Sequence, residues 1–148
     1  MTTGHDLALA LRSAYLVMHR RADATLARWG VTADQFVLLG ALAEADALTQ
    51  QALARRVCSD ASTVRAMLLL LEGRGLVTRV PHPSDGRARS VALTPKGRRA
   101  YRKMWEGSES FRAELLSAVG PDQADALLGL LLRVAQVMAA PEGRSAAV

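Results

Sequence analysis

The chain has 148 residues, half of them hydrophobic, with only 4% aromatic residues and a net charge of +5. This length predicts one domain with its own core, and the hydrophobic content excludes a disordered chain. No apolar run reaches the ~18–20 residues that cross a bilayer, and the N-terminus does not resemble a signal peptide. We therefore expect a cytoplasmic protein without membrane association.

Two helices are predicted in the first third of the chain. Residues 6–29 place apolar side chains at steps of three and four, which is typical of an amphipathic helix, and Gly30 ends it. Thr32-Ala-Asp-Gln35 then has the form of a capping box, in which the threonine and glutamine side chains bond each other's backbone. This box predicts a second helix running to about Ala45.

A helix-turn-helix is predicted next. Thr49 caps a short third helix, Gln50–Val57, and Ser59 or Asp60 caps a fourth, about Ala61–Arg74. Only a few residues separate these two helices, which is the spacing of a helix-turn-helix. The fourth helix begins with small polar residues, as a helix that enters a DNA groove requires.

A two-stranded wing follows the fourth helix. Gly75 supplies the left-handed stop, and the β-branched, alternating segments Leu76–Val80 and Arg89–Leu93 predict two strands. The intervening residues, 81–88, are rich in turn formers and predict an exposed connection. Helix-turn-helix and wing together predict a winged-helix DNA-binding lobe.

The C-terminal third is predicted to be helical. Thr94-Pro95 starts a fifth helix that continues to Val119, Gly120-Pro121 breaks it, and a last helix covers about Asp122–Ala139. Residues 141–148 predict a disordered tail. The first and last helices have more apolar surface than a small lobe can cover, so we expect side chains there to be buried in a homodimer: Leu7, Leu11, Leu127, Leu131 and Met138. The predicted fold class is mainly α, a winged helix-turn-helix with a small β-wing and N- and C-terminal dimerisation helices.

The positive charge is concentrated in one part of the chain. Nine of the 19 basic residues lie between Arg74 and Lys103, and Asp85 is the only acid in that window. Such clustering is the electrostatic footprint of a polyanion-binding protein. The basic residues are Arg74, Arg79, Arg87, Arg89, Lys96, Arg98, Arg99, Arg102 and Lys103.

The predicted lobe offers side chains for both DNA grooves. In the first turn of the fourth helix, Ser62 and Thr63 are expected to donate to phosphates or bases, and Arg65 reaches guanine or phosphate. In the wing, Arg87 and Arg89 are suited to the narrow minor groove, where the potential is most negative. Alternatively, these residues form only an ordinary exposed helix face and a basic surface hairpin.

Several short motifs, in order and at matching spacing, resemble the winged-helix core of MarR-family transcriptional regulators. The resemblance covers about residues 6–139. Its motifs are Gly30-Val-Thr-Ala-Asp-Gln-Phe36, Leu48-Thr-Gln-Gln-Ala-Leu-Ala54, Ser62-Thr-Val64, Leu71-Glu-Gly-Arg-Gly-Leu-Val77, Asp85-Gly-Arg87 and Leu93-Thr-Pro-Lys-Gly97.

The resemblance implies a function and a domain organisation. It implies a homodimeric regulator, most often a repressor, that binds an inverted-repeat operator in double-stranded DNA and responds to a small-molecule or oxidant effector. Ser62, Thr63 and Arg65 would then lie in the major groove, Arg87 would reach the minor groove, and Asp85 would brace the wing. Residues 1–148 would form one MarR-like domain with a DNA-binding lobe at 32–94, dimerisation helices at 6–29 and 95–139, and a tail at 141–148.

The chain departs from the family at two places. Members often have a charged pair in the middle of the recognition helix, where this chain has Leu69 and Leu70; this indicates that the usual polar contacts are missing and that extra packing replaces them. Peroxide-sensing members have a reactive cysteine in the first helix, whereas the single cysteine here is Cys58, between the third and fourth helices. As a lone thiol, Cys58 is expected to be a small buried side chain.

Aromatic and titratable side chains suggest where an effector would bind. We predict that a small aromatic effector would contact Tyr15, His19, Trp29, Phe36 and Trp105, although the same residues serve equally well in core packing. No catalytic motif, metal-ligand set or cofactor-binding motif is present, so we expect no enzyme activity, no metal and no cofactor. The alternative function is a winged-helix module that binds DNA without sequence preference or mediates protein contacts.

Overall fold

A computed structural model describes residues 1–81, 84 and 89–140. The predicted disordered tail at 141–148 and most of the predicted wing turn lie outside these residues. The chain divides into two compact units, Met1–Glu109 and Ser110–Val148. The first unit contains the helix-turn-helix and the sheet, and the second contains two helices.

Apart from one additional short strand and the division of the predicted fifth helix, the described elements follow the predicted order, and the fold is mainly helical with a small sheet, as predicted. In chain order they are α1 (Gly4–Leu26), a 3-10 turn (Ala27–Trp29), α2 (Ala33–Ala43), β1 (Leu48–Thr49), α3 (Gln50–Arg56), α4 (Ala61–Gly73), β2 (Val77–Pro81), β3 (Arg89–Leu93), α5 (Pro95–Gly107), α6 (Glu109–Val119) and α7 (Pro121–Met138).

Side-chain caps fix where the helices begin. The predicted capping box is present at α2, where the Thr32 hydroxyl accepts from the Gln35 backbone N–H and the Gln35 side chain accepts from the Thr32 N–H, both at 3.1 Å. Thr49 caps α3 in the same way, accepting from the Ala52 N–H at 3.1 Å. Gly30 and Gly75, with φ of 66° and 71°, adopt the left-handed conformation that ends the segments before them. These helix boundaries therefore depend on local chemistry that the sequence displays.

The sheet has three strands instead of the two that were predicted. Its order is β1-β3-β2, with both pairs antiparallel. β2 and β3 pair from Val77 opposite Leu93 to Pro81 opposite Arg89, and β1 adds Leu48 opposite Val91. The strand β1 was missed because two residues are too few to display a period-2 pattern. It ties the start of α3, and so the helix-turn-helix, to the wing.

One core holds the first unit together. Its fully buried side chains come from α2, α3, α4, the sheet and α5, so the helix-turn-helix is packed on both the sheet and the neighbouring helices. The largest are Leu38, Leu39, Leu42, Leu53, Val64, Leu68, Leu71, Val91 and Met104.

The structure corrects two predictions. The single helix predicted from Pro95 to Val119 is two helices, because Ser108 adopts a non-helical conformation and its hydroxyl donates to the Met104 carbonyl at 2.6 Å. The expected burial of Cys58 is also wrong, since this residue is exposed. Cys58 lies in the turn after α3 with a φ of 53°, a left-handed conformation that residues other than glycine rarely adopt.

The second unit has no core of its own within its described residues. Neither α6 nor α7 contains a buried residue, although most of the α7 side chains are apolar. In the described residues no single helix is long and apolar enough to span a membrane. Taken together, α6 and α7 meet that criterion of length and composition, but they are bent by 93° at the break between them.

Replacing Gly97 with alanine should destabilise the first unit. A Cβ at Gly97 would lie 1.9 Å from the Leu76 carbonyl oxygen, which also accepts a hydrogen bond from the Thr94 N–H at 3.1 Å. The backbone cannot move away without losing that bond, so we expect a loss of about 1–3 kcal/mol or more in the free energy of unfolding. Urea unfolding of Gly97→Ala measures this loss of stability. Gly73→Ala is the control, because a Cβ at Gly73 would meet no atom within 4 Å. Equal stability of the two variants would contradict the argument.

Candidate nucleic-acid interface

Asp60 caps α4, which settles the choice between Ser59 and Asp60 left open by the sequence. The Asp60 carboxylate accepts from the Thr63 backbone N–H at 2.8 Å. The chain reaches this position through a tight turn after α3, in which the Ser59 N–H donates to the Ala54 carbonyl at 2.9 Å. The start of α4 is therefore held at a defined distance from α3.

The two hydroxyls of the first turn also donate to this carboxylate. Ser62 Oγ lies 2.6 Å from Asp60 Oδ1, and Thr63 Oγ1 lies 2.7 Å from Asp60 Oδ2. These bonds, with that from Ser62 the largest contributor, hold the pKa of Asp60 far below its ordinary value. Because their protons point at Asp60, the hydroxyls of Ser62 and Thr63 present lone pairs to an incoming base. To donate to a phosphate, as predicted, they would first have to leave Asp60.

Arg65 lies on the exposed side of the same helix. Its side chain is exposed, whereas Val64, Leu68 and Leu71 turn into the core. Among the described residues no ion pair involves Arg65. Its guanidinium is therefore available to a base or a phosphate.

The wing is described only at its base. Arg89 is exposed at the first position of β3, opposite Pro81, at the end of the β2–β3 ladder that leads into the turn. Arg87 and Asp85, the predicted minor-groove and bracing residues, lie outside the described residues. Arg89 is thus the described basic residue nearest to the tip of the wing.

Among the described members of the basic cluster, three have structural partners, and Lys96 is one of them, since it donates to the Arg74 carbonyl at 3.0 Å. Arg79 on β2 forms an ion pair with Glu72 on α4 at 3.3 Å. Arg74 donates to the Gly30 carbonyl at 2.7 Å and to the Trp29 carbonyl at 2.9 Å. The sequence suggested a polyanion contact for all three, because a partner distant in the chain leaves no trace in local charge counts.

The five predicted effector residues do not all line one cavity. Tyr15 lines a cavity of about 210 Å³ together with Thr63 and Met67 of α4 and with Asp34, Val37, Val57, Cys58 and Ser59. The ring of His19 stacks on that of Tyr15. His19 Nε2 lies 3.5 Å from Asp23 Oδ2 and 3.9 Å from Asp34 Oδ2. Tyr15 and His19 are thus brought together at the side of α4.

Trp29 lies at a different cavity, of about 290 Å³. Apolar side chains form part of its wall, and four basic side chains complete it. The lining residues are Trp29, Val31, Arg74, Leu76, Lys96, Arg99, Ala100, Lys103 and Met104. Within the described part of the chain, no acid lines this cavity, so its electrostatic character is cationic.

Phe36 and Trp105 meet through a third aromatic residue. Phe36 stacks on Tyr101 with ring centroids 5.2 Å apart, and Tyr101 lies 6.3 Å from Trp105. Sequence reasoning overlooked Tyr101, and its spacing of four residues from Trp105 on a predicted helix could have indicated the contact. In the described residues no group of three or more His, Cys, Asp or Glu side chains is placed to hold a metal.

Known proteins similar to this chain are regulators of transcription. A family model described as the MarR family matches residues 31–88. The HTH-type transcriptional regulator YdgJ of Bacillus subtilis (strain 168), itself uncharacterized, is 31% identical over 105 residues, and the match covers 71% of this chain but 64% of YdgJ, slightly less than two thirds of its length.

Two solved structures of regulators that bind DNA have a fold similar to that of this chain. The transcriptional repressor CouR, bound to a 23-mer DNA duplex, has a TM-score of 0.80 and 32% identity, covering 87% of this chain and 92% of CouR. BpsR of Bordetella bronchiseptica, whose DNA binding is regulated by 6-hydroxynicotinic acid, has a TM-score of 0.80 and 27% identity, covering 91% of this chain and 96% of BpsR.

Removing the carboxylate of Asp60 should lower thermal stability in a pH-dependent way. Folding lowers the pKa of Asp60 from 3.8, so its stabilising contribution is complete above that pH and is lost as the pH falls below it. Circular dichroism should show a lower Tm for Asp60→Ala at pH 7, with a difference from the unsubstituted protein that shrinks below pH 3.8. Ser59→Ala should behave like the unsubstituted protein. A difference that did not change with pH would mean that the carboxylate charge has no part in the cap.

Proposed function

This chain belongs to the MarR family of winged-helix transcriptional regulators, and on that premise we propose that it is a homodimeric, sequence-specific DNA-binding repressor released by a small aromatic effector. The observation that carries the proposal is the start of α4, where small polar residues and Arg65 are exposed beside an HTH turn. DNA-bound CouR has the same fold, which supports the assignment of α4 as the recognition helix.

The proposed DNA contacts divide between two grooves. Ser62, Thr63 and Arg65 enter the major groove, with the two hydroxyls accepting from base amino groups for as long as they donate to Asp60. Arg87 and Arg89 reach the adjacent minor groove from the wing, and Asp85 braces the wing turn. The DNA-binding lobe of the proposed single domain is residues 32–94.

The proposed dimer contact lies on the helices outside the lobe, at 6–29 and 95–139. Their apolar side chains are exposed in one chain: Leu7 is 57% exposed and Met138 is 77% exposed. Burying such side chains against a second copy contributes roughly 1.5–3 kcal/mol each at full burial. A dimer presents two recognition helices, which explains why an inverted repeat is the expected operator. As a regulator of this kind, the protein works in the cytoplasm and catalyses no reaction.

The cavity beside Trp29 is the better of the two for an effector like the 6-hydroxynicotinic acid that regulates BpsR. Arg74, Lys96, Arg99 and Lys103 offer positive charge to a carboxylate, and the indole of Trp29 offers a face to an aromatic ring. The Tyr15 cavity has Asp34 and no cation among its lining residues, so it would repel an acid. We assign the effector site to the Trp29 cavity, with Tyr15, His19, Phe36 and Trp105 outside it.

Arg74 supplies a route from this cavity to the DNA. Its guanidinium joins the end of α4 to the Gly30 and Trp29 carbonyls, and Lys96 donates to the Arg74 carbonyl at 3.0 Å. A carboxylate in the cavity competes with those carbonyls for Arg74 and so loosens the end of the recognition helix. Release follows if the acid binds this loosened arrangement better than the DNA-bound one.

Selection of bound duplexes from a random pool at ~150 mM salt tests the function. A dimeric regulator enriches an inverted repeat with half-sites about 10 base pairs apart and prefers it by ~10³-fold or more over scrambled DNA. Steep salt-dependent binding to every duplex would support the non-specific module instead. Failure to bind DNA at any salt concentration would point to a module for protein contacts.

Binding of 6-hydroxynicotinic acid, measured by isothermal titration calorimetry, tests the effector site. The double variant Arg99→Ala/Lys103→Ala should bind it roughly 2- to 30-fold more weakly, from about 0.2–1 kcal/mol for each exposed charge lost. The matched control Arg98→Ala/Arg102→Ala removes the same charge from exposed positions of α5 that do not line the cavity. Equal weakening by both pairs, or equal affinity for the neutral 6-hydroxynicotinamide, would exclude this site.

A further inference from the structure

The middle of α4 exposes two leucines. Leu69 is 54% exposed and Leu70 is 62% exposed, so the extra packing indicated for them by the sequence is wrong. They also occupy the two positions in the middle of the recognition helix where MarR-family members often have a charged pair. An exposed apolar pair on a helix proposed to enter DNA needs a different explanation.

Helix geometry distinguishes the two leucines. The inward side of α4 is formed by three buried residues, Val64, Leu68 and Leu71, and by half-buried Met67, which packs against the core. At about 100° per residue, the opposite side is centred on a line of exposed residues with spacings of four, three and four. They are Ser62, Ala66, Leu69 and Gly73. Leu69 therefore lies about 30° from the middle of the outward side, and Leu70 lies about 70° from it in the other direction.

This outward line contains a single polar side chain. Ser62 has a hydroxyl, and Ala66, Leu69 and Gly73 have no hydrogen-bonding group. Beyond the first turn, the line cannot recognise a base edge by hydrogen bonds. The one apolar group that bases display in the major groove is the C5 methyl of thymine.

We propose that Leu69, together with Ala66, determines operator specificity by packing against thymine methyl groups in the major groove of each half-site. This inference rests on the proposed DNA-binding function and adds the chemical group that the helix recognises. Arg65 lies beside this line and approaches the DNA backbone or a guanine. Its charge therefore attracts the helix to the DNA, and the apolar residues of the line determine which base sequence is preferred. Operators should accordingly contain invariant thymines at the centre of each half-site.

Replacing thymine with uracil tests the inference, because uracil lacks only the C5 methyl. Fluorescence anisotropy should show that uracil at one such position weakens binding by the unsubstituted protein roughly three- to fourfold, the effect of exposing one methyl group. In Leu69→Ala the preference for thymine over uracil should disappear. Leu70→Ala, which removes a similarly exposed leucine from the same helix, should keep that preference. Arg65→Ala should weaken binding to both duplexes by the same factor.

The outcomes separate this inference from the function on which it rests. A selected operator without invariant thymines, or one whose affinity is the same with uracil, overturns the role of Leu69. A thymine preference that survives in Leu69→Ala overturns it as well. Failure of selection to enrich any sequence overturns the proposed sequence-specific function instead.

Discussion

Arg74 joins three parts of the first unit. Its guanidinium donates to the Gly30 and Trp29 carbonyls at the end of the α1 segment, and its backbone carbonyl accepts from the Lys96 side chain of α5. Both groups of Arg74 lie at the C-terminal end of α4. The position of the recognition helix relative to α1 and α5 therefore depends on a residue that never needs to touch DNA.

The opposite end of α4 is governed by Asp60. Its carboxylate binds one backbone N–H and two hydroxyls, and it places a negative charge at the end of the helix proposed to enter the groove. That charge favours the helix dipole but opposes close approach to phosphates. An interface of this kind loses non-specific affinity, so the basic residues beside it are needed to restore the overall attraction to DNA.

Features determined by neighbouring residues could be predicted from the sequence, and features determined by distant ones could not. The capping box at Thr32, the cap at Thr49 and the left-handed stops at Gly30 and Gly75 are local, and the structure has each of them. Recognition of the family from short ordered motifs was correct for a similar reason, because those motifs record the same local turns and caps.

The remaining features depend on contacts between parts of the chain that are far apart in sequence. The strand β1 exists only because Leu48 pairs with Val91. The grouping of Trp29 with Arg99 and Lys103 depends on how α5 packs. Residue types alone suggested a single aromatic pocket, whereas packing separates its members.

The absence of any buried residue from α6 and the described α7 has a consequence for protein abundance. Helices of this length have marginal stability alone in water, so in the proposed homodimer we expect the second copy to supply the surface that orders this unit. Folding and assembly of that homodimer would be one second-order equilibrium, in which the folded fraction rises with the total concentration of the chain. In a cell that makes few copies, newly synthesised chains would remain open to proteolysis until they meet, which sets a threshold of expression below which the protein does not accumulate.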